Sequence, residues 1–186
     1  MDISKASGLA PTPYTYECSY FSWGNVFGFN PLDNLTFEYN WSHNNYDNTE
    51  GSHLVGNLDD QHDAARSLLG PGWKIPSAND VDELLRNCDY IDADGTVIES
   101  DSKVVVIDNT VGVLLRSKNN GVRLFFPCTG YGSGSELLHS GMNGFFWLSS
   151  SLSDANAFRV VFGPYSIALG YTSRFFGLSV RPVFMR

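Results

Sequence analysis

GMNGFFWLSSSLSDANAFRVVFGPYSIALGYTSRFFGLSVRPV runs from Gly141 to Val183, and its reading decides the fold. Two framework-like ends bracket a middle of mixed side chains. The first end is Gly144-Phe-Phe-Trp147 with Ser149, Ser150 and Ser151; the second is Gly177-Leu-Ser-Val-Arg181-Pro182-Val183. From Asn143 to Val183 there is no Lys, Glu, Gln or Met, although ordinary composition would supply several over that length. The stretch is instead rich in aromatics, Ser, Gly and branched aliphatics. Such a mixture suits ligand binding better than catalysis.

Working outward, the preceding residues read as short strands and turns. Val104–Ile107, Gly112–Arg116 and Val122–Phe126 are strand-like, and Pro127 closes the last of them. Residues 145–148, 157–162 and 178–184 add further strand candidates. Asp94-Gly95 between Tyr90-Ile91 and Thr96-Val-Ile98 predicts a small hairpin. Two helices are expected earlier. One spans Asp59 to Leu69, with its acids at the positive end of the helix dipole and Gly70-Pro71-Gly72 as the stop. The other starts at Ser77, where Ser77 and Asp80 resemble a capping box and Val81, Leu84, Leu85 and Cys88 form an apolar stripe. Residues 30–58 read as a long polar loop. Residues 14–29 are aromatic and suit a strand with a turn at Trp23-Gly24-Asn25. Residues 1–13 read as a lead-in, and 14–186 as a single domain whose binding segment is about 142–183.

These elements predict an α+β domain: two short helices packed on a twisted, mostly antiparallel sheet with long loops. A chain of 186 residues can bury a real core. No apolar run approaches the roughly 20 residues of a membrane span, so no membrane insertion is expected. No basic region followed by an apolar core stands at the start, so no signal peptide is visible. The net charge of −8 is uneven. Residues 1–101 hold 17 acids and 4 bases, whereas 102–186 hold 3 acids and 8 bases. The bases are scattered singly, which argues against nucleic acid as a partner. Cys18, Cys88 and Cys128 lie far apart without a C-x-x-C pair. Free buried thiols are the expectation, one disulfide the alternative, and zinc is not expected.

Several segments together resemble one family. Tyr20-Phe-Ser-Trp-Gly24 resembles its YFAWG signature. Asp63-Ala-Ala-Arg66 followed by Gly72-Trp-Lys-Ile-Pro-Ser77 resembles its AAR and W-R-[LM]-P-T stretch. Asn120 to Tyr131 resembles NG…IFLPAAGY, Gly144-Phe-Phe-Trp147 resembles GYYWSSS, and Arg174 to Val183 resembles RYYGFSVRPV. The match in order and spacing, from about residue 14 to 184, resembles the Fibrobacter succinogenes major paralogous domain family of gut Bacteroidales and their phages. The resemblance implies a C-type-lectin-like fold, related to formylglycine-generating enzyme and to the phage major tropism determinant. It also implies kinship with variable proteins of diversity-generating retroelements, in which adenine-directed mutagenesis rewrites chosen codons. A randomised AAC codon cannot give Lys, Glu, Gln, Met or Trp, and residues 143–183 obey that restriction except at the framework Trp147. Leu148 departs from the usual Ser; Phe145, Phe146 and Leu178 depart from Tyr, Tyr and Phe.

The expected function is a receptor- or ligand-binding module, in a phage tail or at a bacterial cell surface as an adhesin. Its partner would be a protein or glycan receptor. The alternatives are a structural tip or repeat domain, with homo-oligomer assembly through the same face, and an enzyme of the formylglycine-generating lineage. No cofactor, metal or catalytic residue is expected. The Glu-Pro-Asn calcium signature is missing, Asp92-x-Asp94-Gly95 reads as a plain turn, and no serine or histidine sits in a catalytic spacing. The expected contact residues are Phe145, Leu148, Asp154, Asn156, Phe158, Arg159 and Val161, then Tyr165, Ser166, Ile167, Leu169, Tyr171 and Thr172, and finally Phe175 and Phe176. Arg159 and Arg174 would serve as fork donors. Alternation points Val160 and Phe162 inward and leaves Phe158, Arg159, Val161 and Gly163 partly outward. Trp147, Gly177, Val180 and Val183 read as structural; Arg181 fits either a buried structural charge or a surface residue. Sequencing the gene and its surroundings tests the diversification reading. Clustered codons ending in C across 143–183, with a near-identical template repeat nearby, are the expected result; their absence overturns it.

Overall fold

Side chains that cap backbone amides set where the helices begin. In the computed structural model, which describes residues 19–32, 34–164 and 167–185, the Ser77 hydroxyl accepts from the Asp80 amide and the Asp80 carboxylate accepts from the Ser77 amide. This capping box opens α3 (Ala78–Arg86), which buries Val81. Asp63 caps α2 (Ala64–Leu69), so this helix starts later than Asp59. Its carboxylate is buried and fully engaged: Oδ1 accepts from the Ala65 and Arg66 amides, and Oδ2 from the Ile75 amide at 2.8 Å. Asp59 caps the turn before it, and Asp60 pairs with Arg66 at 2.6 Å. Cys18, Tyr165, Ser166 and the expected lead-in lie outside the described residues.

The region expected as a loop at 30–58 is ordered differently. It contains β1 (Thr36–Trp41), α1 (His43–Asp47) and a 3-10 turn, Glu50–His53. Phe37 and Trp41 are buried while Glu38 and Asn40 are exposed. This period-two alternation is short and set among polar residues, which hides it. Helix α1 is only five residues long, and its inward side chain is Tyr46. The helices are therefore three rather than two among the described residues.

The sheets are mainly antiparallel, as predicted. Strand β5 (Thr110–Ser117) pairs along one side with β6 (Arg123–Pro127), and along the other with β4 (Val104–Ile107) and β3 (Cys88–Tyr90). Beyond β3, the Asp94-Gly95 turn brings Ile91 against Val97. Strand β1 pairs with β7 (Tyr131–Leu138), a strand the sequence did not announce. The C-terminal stretch forms a three-stranded sheet in the order β10 (Ile167–Ser173), β9 (Asn156–Phe162), β8 (Gly144–Ser151). Residues 178–184 are not one strand. Leu178 and Ser179 bridge singly to Phe21 and Phe146, Pro182 has no amide to donate, and β11 (Val183–Phe184) pairs with β2 (Trp73–Lys74).

The β8–β9–β10 sheet lies between two cores. Phe146, Leu148, Val160 and Phe162 join Val81, Val113, Leu115 and Phe126 on one side. Trp147 and Ala157 join Phe21, Trp23, Ala64, Ala65, Ile75 and Leu178 on the other. The period-two rule thus sorts Phe145-Phe-Trp-Leu148 alternately into two buried layers. Leu148, expected at the binding surface, is a core residue for this reason, with no exposed area. Gly163, expected partly outward, is buried too. Arg181 lies half-buried with its guanidinium 5.5 Å from the Phe126 ring centre.

Gly132 and Gly177 exchange backbone hydrogen bonds at 2.7 and 3.0 Å, and the buried Trp41 indole packs on this glycine pair. A Cβ on Gly177 would fall 2.5 Å from Cε2 of Trp41, closer than any real contact. The substitution Gly177→Ala is therefore expected to destabilise the fold by about 2 kcal/mol through overpacking. Urea unfolding checks this: the midpoint should fall with an unchanged slope.

Candidate functional site

The same alternation that fills the two cores distributes the expected contact residues over both faces of the sheet. Directly opposed residues share a face: Phe145 with Val161 across β8–β9, and Arg159 with Gly170 and Ala157 with Thr172 across β9–β10. On the reverse face, Phe158 opposes Tyr171, Val160 opposes Leu169 and Phe162 opposes Ile167. Strand β10 is the edge of its sheet. The residues opposite Val160 and Phe158 therefore reach past the core: Leu169 is 42% exposed and Tyr171 is 58% exposed.

The first face carries a concave site. Tyr131, His139, Phe145, Arg159, Thr172 and Phe176 line a cavity of about 160 Å³ with the buried Leu178 beneath. Tyr131 is its hub. Its ring meets Phe145 at 5.0 Å and Phe176 at 5.4 Å, both edge to face, and stacks on His139 at 5.7 Å. Each such ring pair adds ~0.5–1.5 kcal/mol beyond area burial, so the walls are held by one another. The Arg159 guanidinium lies 5.0 Å from the Phe145 ring centre. Its Nη1 is buried and has no hydrogen-bond partner. Burial lowers the Arg159 pKa, with Tyr131 opposing the shift. Gly170, opposite Arg159, leaves open space where a side chain would stand.

Four of the expected contact residues, Phe145, Arg159, Thr172 and Phe176, thus meet at one cavity. Val161 shares their face. Phe158, Ile167, Leu169 and Tyr171 occupy the opposite face. Asp154 sits exposed in the turn between β8 and β9, and Asn156 closes that turn by accepting from the Leu152 and Ser153 amides. Phe175 packs on Phe176 at 4.6 Å and faces His43 at 6.3 Å. Tyr131 and His139 were not expected here. Tyr131 was visible only as part of a motif, and His139 only as a histidine without a catalytic partner.

Arg174, expected as a surface donor, is wholly buried. Its Nη1 donates to the Leu54 carbonyl at 2.7 Å, and its guanidinium lies 4.5 Å from the Trp23 ring centre. Its backbone binds Trp23 and Ala155. Burial pushes the pKa of the neighbouring Tyr46 hydroxyl up, and the Arg174 charge partly offsets this. Cys88 and Cys128 are buried free thiols, and burial pushes Cys128 up to about 11. Burial favours the protonated form of both thiols, whereas the thiolate is the reactive form.

No family model, curated protein or solved structure matches the chain.

Proposed function

We propose that the protein is a C-type-lectin-like binding module whose C-terminal segment presents a ligand-binding surface for a receptor on another cell, as a phage tail protein or bacterial adhesin would. One observation carries this reading. The framed ends of the segment, Phe146, Trp147, Gly177 and Leu178, are core residues, while the middle between them contributes Arg159, Thr172 and Phe176 to an aromatic cavity and forms an exposed strand edge. A surface whose shape rests on buried neighbours can change its outer side chains without losing the fold. Rigid aromatics with small polar neighbours suit protein recognition at low entropy cost. The motif resemblance supports the same assignment. The burial of Cys88 and Cys128 weighs against formylglycine-type cysteine chemistry at those two residues.

A second reading draws on the β10 edge. An edge strand with Leu169 and Tyr171 outward is a template for pairing with another copy. Assembly of a surface appendage through that edge would show as a mass that rises with concentration in light scattering.

The binding reading is tested with the intact chain on whole Bacteroidales cells. Tyr171→Ala should leave stability within ~0.5 kcal/mol, as for an exposed residue. It should weaken cell binding about thirtyfold, the effect of losing an aromatic anchor worth ~2 kcal/mol. Phe175→Ala should also weaken binding, at a further cost of about 1 kcal/mol in stability from the lost contact with Phe176. Unchanged binding by both variants would contradict the assignment.

A further inference from the structure

The Arg159 cavity has a chemistry that its neighbours do not explain. A guanidinium carries five donors and no acceptor, and one left buried without a partner loses hydration that nothing in the protein replaces. Arg174 shows how this chain treats a structural arginine: it is wholly buried, donates to a carbonyl and packs on an indole. Arg159 differs in exposure and setting, although it too packs on a ring, that of Phe145. It is half-buried and lines a cavity. Its buried Nη1 has no hydrogen-bond partner, as Nε and Nη2 of Arg174 have none, and it makes no ion pair among the described residues. The residue across the ladder is Gly170, which leaves the approach to it open.

We propose that Arg159 is the receptor for the carboxylate of an acidic side chain on a protein partner, with Tyr131, Phe145 and Phe176 enclosing the methylenes behind that carboxylate. The proposal rests on the reading of this face as the binding surface and names the ligand chemistry of its cavity. A planar guanidinium matches a carboxylate in two parallel hydrogen bonds. Nη1 is buried, so its contact with a ligand requires the side chains that cover it to move. The source of the carboxylate follows from the walls: the rings of Tyr131, Phe145 and Phe176 suit the apolar methylenes of an acidic side chain better than a hydroxylated sugar acid. Excluding water from the ion pair strengthens it, while the aromatic walls gain from the buried methylenes.

The test is a titration of the ¹⁵N-labelled full chain with N-acetyl-glutamate N-methylamide, its glutamine counterpart and glucuronate. The glutamate probe should give saturable shifts at Phe145, Arg159, Thr172 and Phe176, with an affinity at least tenfold above the glutamine probe. Arg159→Met should abolish those shifts and melt at or above the parent temperature, because a buried uncompensated charge has been replaced by an apolar stem. Gly170→Leu, which fills the approach and leaves Arg159 in place, should weaken the glutamate probe as well. Equal response to glutamate and glutamine, shifts that persist in Arg159→Met, or tighter binding of glucuronate would overturn the proposal. So would an Arg159→Met chain that unfolds, since Arg159 would then be structural. If cell binding still depends on Tyr171 while the glutamate probe gives no response, only the carboxylate pocket fails and the binding reading stands.

Discussion

A buried cation without a carboxylate partner holds the C-terminal sheet to the rest of the chain. Removing a guanidinium from water costs several kcal/mol, so its position must be repaid by geometry. Arg174 meets the Leu54 carbonyl, the Trp23 ring and the neighbourhood of the Tyr46 hydroxyl, all from segments more than a hundred residues upstream. A desolvated cation over an indole contributes ~2 kcal/mol. The groups around Arg174 are themselves tied down. Trp23 donates to the Leu148 carbonyl at 2.9 Å, Trp147 donates to the Phe21 carbonyl at 2.6 Å, and Tyr46 donates to the Trp23 and Gly51 carbonyls. The Trp23 turn, α1 and the end of β10 therefore share one network, and the loss of Arg174 would remove the contacts that tie Leu54, Trp23 and Tyr46 to the end of β10.

This network explains how an edge strand can carry a recognition surface. Strand β10 is fixed at its end by Arg174 and along its length by β9, so the positions between need not contribute packing to stay in place. Leu169 and Tyr171 project past the core on one face, and Thr172 borders the aromatic cavity on the other. A strand edge exposed in this way is ordinarily an aggregation hazard, and proteins blunt it or use it. The two faces of β10 offer different chemistry to a partner, apolar on one side and a guanidinium among rings on the other. A protein surface with both apolar and acidic groups would satisfy the two together.

Much of the α+β frame was legible in the sequence, where local chemistry is strong. Ser77 with Asp80, the Asp94-Gly95 turn and the strands around Val104–Phe126 are signals whose partners lie within a few residues. Trp147 and Gly177 were readable as framework from their motifs. The elements that escaped depend on distant neighbours. Strand β1 alternates over only three inward positions, and β7 is a Gly- and Ser-rich run that pairs with it. The misplacement of Arg174 has the same origin. Arg159 and Arg174 both stand among aromatics, and nothing local separates a strand residue beside an open glycine from a turn residue beneath an indole. Leu148 departs from the usual Ser of its motif and was expected at the contact surface, whereas the pleat sends it to the side of Phe146. The cavity was half visible: Phe145, Arg159, Thr172 and Phe176 come from the C-terminal segment, but Tyr131 and His139 reach it from β7 and the turn after it.

The central claim is that a fixed framework supports a replaceable surface. It is tested most directly by randomising Phe145, Val161, Leu169, Tyr171 and Thr172 together in one library, randomising Trp147, Arg174 and Gly177 in another, and sorting both for protease resistance. The account predicts that most members of the first library fold and that folded members of the second keep the parent residues. Comparable survival in the two libraries would contradict it.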